Sequence, residues 1–207
     1  MRETVVLIHG IWMVGVEMGL LRKRIERCEF ECCQYRYHSI RSTPADNARR
    51  LHDYLQTLET DIVHLVAHSL GGLVVMHLFD QFPMQKPGRV LMLATPIKGS
   101  ALARRMNKIP VTGVLLGKSI NQGLLGDAPR WKQTRELGMI AGNTGMGLGS
   151  LVIGGLQGPN DGTVAVEETR APEINAHLIV PYSHSTMLWS SAVADAVCNF
   201  LQTGGFE

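Results

Sequence analysis

At 207 residues the chain is long enough for one compact domain with a substantial core and too short for two ordinary ones. Hydrophobic residues make up 45% and charged residues 18%, which excludes an intrinsically disordered chain. The net charge of +2 comes without a sustained Lys/Arg cluster, so no nucleic-acid partner is expected, and no run reaches the roughly 18 apolar residues of a membrane span.

In chain order, residues 4–8 form a continuous apolar run, as in a strand covered on both faces. The run is too short for a secretory leader and has no cleavage site after it, so a cytoplasmic location is expected. A helix over 16–27 and a strand near 30–37 follow. Leu51, Leu55 and Leu58 then place one apolar face on a helix over 43–58. Next come a strand at 61–67, a helix at 70–82 and a strand at 89–94. Short helices around 101–107 and 114–121 are expected between Pro110, Gly113, Gly123 and Pro129, read here as breakers. A strand at 137–141, a glycine-rich loop at 142–162, a last strand at 178–180 and a last helix at 190–201 complete the chain. Strands alternating with helices predict a single α/β domain with a mostly parallel sheet of about six strands flanked by helices, without a separate cap. Cys28, Cys32, Cys33 and Cys198 have neither zinc nor disulfide-framework spacing and are expected to be reduced thiols. Cys32 and Cys33 should point to opposite faces of a strand, so they cannot share a metal.

Three segments carry chemistry. The strand at 61–67 runs directly into His68-Ser69-Leu70-Gly71-Gly72 and an apolar helix. A strand–turn–helix joint with serine at its tip is the setting of a nucleophile elbow, and its tight backbone needs small residues two before and two after the serine. Ala67 and Gly71 fill those places, with Ala67 departing from the usual glycine by one methyl group. The first strand ends in His9-Gly10-Ile11-Trp12, where a backbone N–H of Ile11 can pair with that of Leu70 as an oxyanion hole. Among eight histidines, His184 stands in a polar loop just past the last strand, where ligands meet open α/β sheets. His64 and His68 are expected to be structural, and His177 to precede the last strand at the opposite sheet edge. Asp161, in Gly158-Pro159-Asn160-Asp161-Gly162, gives the chain order Ser…Asp…His expected of a triad on a strand–turn–helix α/β fold, with Asp127, Glu167 and Glu168 as weaker alternatives.

Together VVLIHGIW (5–12), VAHSLGGL (66–73), LATPIKGS (93–100), GPNDGTVAV (158–166) and Ser183-His184 resemble the small bacterial lipases and esterases of the α/β-hydrolase superfamily. The resemblance implies the three-layer α/β-hydrolase fold. It also implies carboxylic ester hydrolysis through an acyl-enzyme, on a small-molecule ester or lipid, with no metal or organic cofactor and no integral membrane contact. Residues 101–129 are the candidate lid or acyl-pocket segment. Its apolar stretch IPVTGVLL (109–116), with Leu115, is expected to line a pocket with Trp12, Met13 and Met146, unless these side chains simply fill the core. An acyltransferase or thioesterase would use the same triad. A non-catalytic binding protein on this fold would usually have lost one member, and all three are present.

Overall fold

The computed structural model describes residues 2–145 and 156–207. Apolar runs form the strands β1 (Glu3–Ile8), β2 (Glu31–Tyr35), β3 (Ile62–His68), β4 (Val90–Leu93), β5 (Leu137–Gly142) and β6 (Ala176–Val180). All pair in parallel, in the order β2-β1-β3-β4-β5-β6. The helices are α1 (Gly19–Ile25), α2 (Pro44–Gln56), α3 (Leu70–Gln81), α4 (Ala101–Lys108), α5 (Pro110–Leu116) and α6 (Ser191–Thr203).

Side chains alternate across each strand and sort the helices into two layers. Val5 and Leu7 pack with Leu21 and Ile25 of α1 and Val197 and Phe200 of α6. Val6 and Ile8 pack on the other side with Leu51 and Leu55 of α2 and Leu73 and Val74 of α3. Cys33 joins this second layer and Cys32 the first, so the two thiols do face opposite ways. Every residue from Leu70 to Phe79 is buried, which makes α3 a central helix covered all round. Thr43 caps α2, its Oγ1 accepting from Asp46 N at 3.1 Å, with Pro44 in the first turn.

This topology makes the site possible. The chain leaves β1 toward α1 on one face and leaves the neighbouring β3 toward α3 on the other. The two connections diverge and open a crevice at the carboxyl ends of β1 and β3, the place where open α/β sheets take ligands.

Several boundaries differ from expectation. Pro110 opens α5 rather than breaking a helix, because a proline at the first position loses no helical hydrogen bond. Strand β6 starts at Ala176, so His177 lies inside it, opposite Met139, instead of before it. The pairing with β5 extends the strand where the apolar pattern fades. Residues 146–155 of the expected 142–162 loop, Met146 among them, lie outside the described residues.

The cysteine expectation is corrected. Cys28, just past α1, and Cys198 in α6 form a disulfide with Cα atoms 6.3 Å apart, leaving Cys32 and Cys33 free. A separation of 170 residues hides such a pairing from any spacing rule, since only the packing of α1 on α6 brings the two together. Among the described residues no helix is long and apolar enough to cross a membrane. Because the bridge closes a very long loop, reducing it should lower stability by about 2–5 kcal/mol. Thermal denaturation with and without a thiol reductant measures this; an unchanged midpoint, with Cys28 and Cys198 shown oxidised beforehand, would contradict it.

Candidate active site

Ser69 links β3 to α3 with φ 54° and ψ −120°, a conformation that an L-residue rarely adopts. The surroundings enforce it. Ser69 N donates to Leu93 O at 2.8 Å, and the Ser69 carbonyl accepts from Thr95 Oγ1 at 3.0 Å. A Cβ placed on Gly71 would lie 2.6 Å from the Ile8 carbonyl oxygen and 2.7 Å from that of His9, and one on Gly72 would overlap Thr95. Only glycine lets α3 start this close to β1. Leu70 is the first residue of α3, so its N–H has no partner within the helix.

The loop after β1 lies directly against this turn. A Cβ on Gly10 would sit 3.1 Å from Ser69 Cβ. Ile11 follows, and neither its N–H nor that of Leu70 finds an acceptor among the described residues. His9, fully buried, holds the loop. Its Nε2 accepts from Tyr37 N at 3.3 Å, so the proton sits on Nδ1, which donates to the Gly10 carbonyl at 2.9 Å. Gly10 C=O and Ile11 N–H belong to one planar trans peptide and point in opposite directions. Fixing the carbonyl therefore aims the N–H. Trp12, at φ 59°, is tied twice more: its N–H to Ser39 Oγ at 3.1 Å and its indole to Leu115 O at 2.8 Å.

Asp161 and His184 meet on the other side of Ser69's strand. His184 Nδ1 donates to Asp161 Oδ2 at 2.7 Å, and His184 N donates to the Asp161 carbonyl at 2.9 Å. Asp161 is 1% exposed, and its Oδ1 accepts from Thr163 N and Val164 N at 2.8 and 2.7 Å. The aspartate thus shapes its own turn with one oxygen and orients the imidazole with the other. Gly142, at the end of β5, makes room for both: a Cβ there would meet Tyr182 O and lie 2.8 Å from Asp161 Cβ. With Nδ1 protonated, His184 Nε2 is left as an acceptor. No hydrogen bond joins it to Ser69 Oγ among the described residues; such contacts commonly tighten only around substrate.

His68 bridges the two halves of the site. Its Nε2 donates to the His184 carbonyl at 2.9 Å, and the two rings are 4.6 Å apart. The residue before the serine thereby holds the backbone of His184, a link across 116 positions. Among the weaker acids, Asp127 receives Gln122 N and Gly123 N, Glu167 pairs with Lys98 at the surface, and Glu168 accepts from Ala101 N and Ala165 N. Glu168 joins the Asp161 loop to the start of α4. None of the three reaches His184.

The family model described as the alpha/beta hydrolase family matches residues 5–195. The chain belongs to the alpha/beta hydrolase family. No curated protein sequence matches it. Among solved structures, the mature Bacillus licheniformis lipase BlEst2 is similar at 18% identity and TM-score 0.70, over 90% of this chain and 86% of that one. The phospholipase PlaB from Legionella pneumophila is 17% identical with TM-score 0.73, over 99% of this chain and 60% of that one. The carboxylesterase CesB from Bacillus subtilis is 12% identical with TM-score 0.60, over 99% and 85%.

The expected pocket residues of this hydrolase divide. Trp12 and Leu115 are joined by their hydrogen bond. Met13 instead packs against the α1–α6 core, as a β1-loop side chain on that face must. Val111 and Val114 are each 79% exposed, because α5 turns Leu116 inward. Two cavities lie elsewhere. One of about 550 Å³ sits at the amino edge of the sheet between Glu3, His64, Arg89 and Arg135, and one of about 350 Å³ lies between Met76, Ile97 and Trp131.

Burial lowers the pKa of His9, His64, His68 and His177 from 6.5, with His68 furthest below. The unfolded chain then binds protons that the folded one refuses, so stability falls as pH drops below about 6.5, by up to ~1.4 kcal/mol per pH unit for each fully linked histidine. Glu168, raised by burial, opposes this weakly at the acid end. Urea unfolding at pH values spanning 7.5 to 5 should show a steadily falling midpoint, most of which His68→Phe does not restore, since four groups share it; a flat midpoint would contradict the assignment of neutral buried imidazoles.

Proposed function

We propose that the protein is a serine hydrolase that cleaves carboxylic esters through an acyl-enzyme, with Ser69 as nucleophile, His184 as base and Asp161 as the residue that orients it. The 2.7 Å contact between His184 Nδ1 and Asp161 Oδ2 carries the reading, because it leaves Nε2 free to act on the side of the serine turn. The family match supports it, as do the names of the similar structures, which include a lipase, a phospholipase and a carboxylesterase.

In this reading Ser69 Oγ attacks the ester carbonyl carbon while its proton passes to His184 Nε2. The carbonyl π electrons move onto oxygen, and the resulting oxyanion is held by the N–H groups of Ile11 and Leu70. Collapse of the tetrahedral intermediate breaks the bond to the alcohol, which leaves with the proton from His184. Water repeats the sequence on the acyl-enzyme and releases the acid. Asp161 keeps the imidazole in the tautomer that can accept at Nε2 and stabilises its charged form. His9, acting on the Gly10 carbonyl, is a positioning residue for the Ile11 donor. Trp12 and Leu115 flank the acyl group at the mouth of the crevice. Leu115 is held there by its own segment, which Leu102, Met106 and Leu116 anchor in the core. A structural disulfide persists in oxidising compartments, so the Cys28–Cys198 bridge weighs against a cytoplasmic location.

Hydrolysis of p-nitrophenyl butyrate tests the assignment. Ser69→Ala and His184→Ala should each abolish turnover with the fold intact, and Asp161→Asn should lower kcat by about 10⁴-fold. Full activity in Ser69→Ala would refute the proposal, and full activity in Asp161→Asn would move the acid elsewhere. Loss of orientation at one oxyanion donor should cost His9→Ala up to about 10²-fold in kcat with little change in KM; a change confined to KM would show that His9 acts on binding instead.

A further inference from the structure

Large apolar side chains are not scattered evenly over this surface. Of the thirteen that are exposed among the described residues, only Met84 and Ile179 lie away from the segments that leave the carboxyl ends of the strands. The other eleven lie on the segments that follow β1, β2, β4 and β6. Singly exposed apolar residues need no explanation, but a contiguous group around a site does.

Helix α5 is the crest of this group. Val111 and Val114, three residues apart on one helical face, are each 79% exposed, whereas Leu116 is buried in the core. The hydroxyl of α5, on Thr112, is turned back to Met106 O at 2.8 Å and asks nothing of solvent. The crest is also fixed to its neighbours. Trp12 donates its indole N–H to Leu115 O, and Lys118 N donates to Ile40 O at 2.8 Å, which brings the loop carrying Arg41 alongside.

Charge is concentrated at the same place. Residues 98–126 contain five cations (Lys98, Arg104, Arg105, Lys108 and Lys118) and no carboxylate. The remaining residues therefore hold 15 cations against 18 carboxylates, so this segment reverses the sign of the rest of the chain. Lys98 and Arg104 are matched by Glu167 and Glu168. Lys108, Lys118 and Arg41 are exposed and form no ion pair among the described residues. Asp127, the first acid after this segment, is already engaged, accepting from Gln122 N and Gly123 N.

We propose that this face, centred on Val111 and Val114 and rimmed by Lys108, Lys118 and Arg41, docks on an anionic lipid surface. Protruding aliphatic side chains with a tryptophan and cations at their edge match the acyl–headgroup boundary, where the apolar crest enters and the cations meet lipid phosphates. A second copy of the chain fits less well, because a two-fold contact would press the two cationic rims together. The docking rests on the ester-hydrolase reading only for its purpose, which is to present the crevice to ester at the layer.

Co-sedimentation with vesicles tests the docking. The full chain carrying Ser69→Ala is used so that the lipid stays intact, with phosphatidylglycerol–phosphatidylcholine vesicles set against pure phosphatidylcholine. Binding should favour the anionic vesicles by at least about tenfold and weaken in high salt. Added to that background, Val111→Asp with Val114→Asp, and separately Lys108→Glu with Lys118→Glu, should each weaken it by about tenfold or more. The same pairs in the wild-type background should keep hydrolysis of soluble p-nitrophenyl butyrate within about twofold, since the exposed positions do not reach the crevice. Absence of vesicle binding, equal binding to both lipids, binding indifferent to both pairs, or a dimer that the valine pair dissolves would each overturn the proposal. Selective vesicle binding by a chain that hydrolyses no ester would leave the docking standing and sink the catalytic reading instead.

Discussion

Ser69 is held at φ 54°, a conformation that costs an ordinary residue roughly 1–3 kcal/mol and survives only where its surroundings over-determine it. Four contacts do so here. The Leu93 carbonyl takes its N–H, Thr95 takes its carbonyl, Gly71 passes beneath the end of β1, and Gly72 packs on Thr95. The partners come from the ends of β1 and β4, the two neighbours of β3 in the sheet. The sheet order therefore cannot change without releasing the turn, and the turn in turn decides where α3 begins and where Leu70 presents its N–H.

Around this turn the site is assembled mainly through carbonyl oxygens. His9 holds that of Gly10, Thr95 that of Ser69, and His68 that of His184. Neutral imidazoles suit this work, because a ring with one donor and one acceptor can fix a peptide without bringing a charge into the core. Burial keeps His9 and His68 in that state. The arrangement makes the loops after β1, β3 and β6 into one unit, although His184 lies 116 positions beyond His68. Asp161 follows the same economy, since one carboxylate both closes its turn and orients His184.

The layers, the strand order's starting pieces and the elbow were legible because they depend on local pattern: apolar runs, small residues flanking Ser69, and a polar loop past the last strand. Asp161 and His184 were legible from chain order, and the structure brings them together. What escaped depends on contacts distant in sequence. Cys28 meets Cys198 only through helix packing, and His68 reaches His184 only because β3 and the loop after β6 end at the same height. Pro110 misled because the same ring that ends one helix can start another. Val111 and Val114 misled because apolar character alone does not say whether a side chain faces the core or the solvent.

The most direct test of the account is covalent. A fluorophosphonate reacts with a serine only when that serine is activated and an oxyanion hole receives the phosphoryl oxygen. Peptide mass spectrometry of the labelled protein should place a single adduct on Ser69, and the adduct should fail to form in the His184→Ala chain. A label on another residue, or ester turnover that persists while Ser69 stays unmodified, would contradict the assignment of Ser69 as the nucleophile.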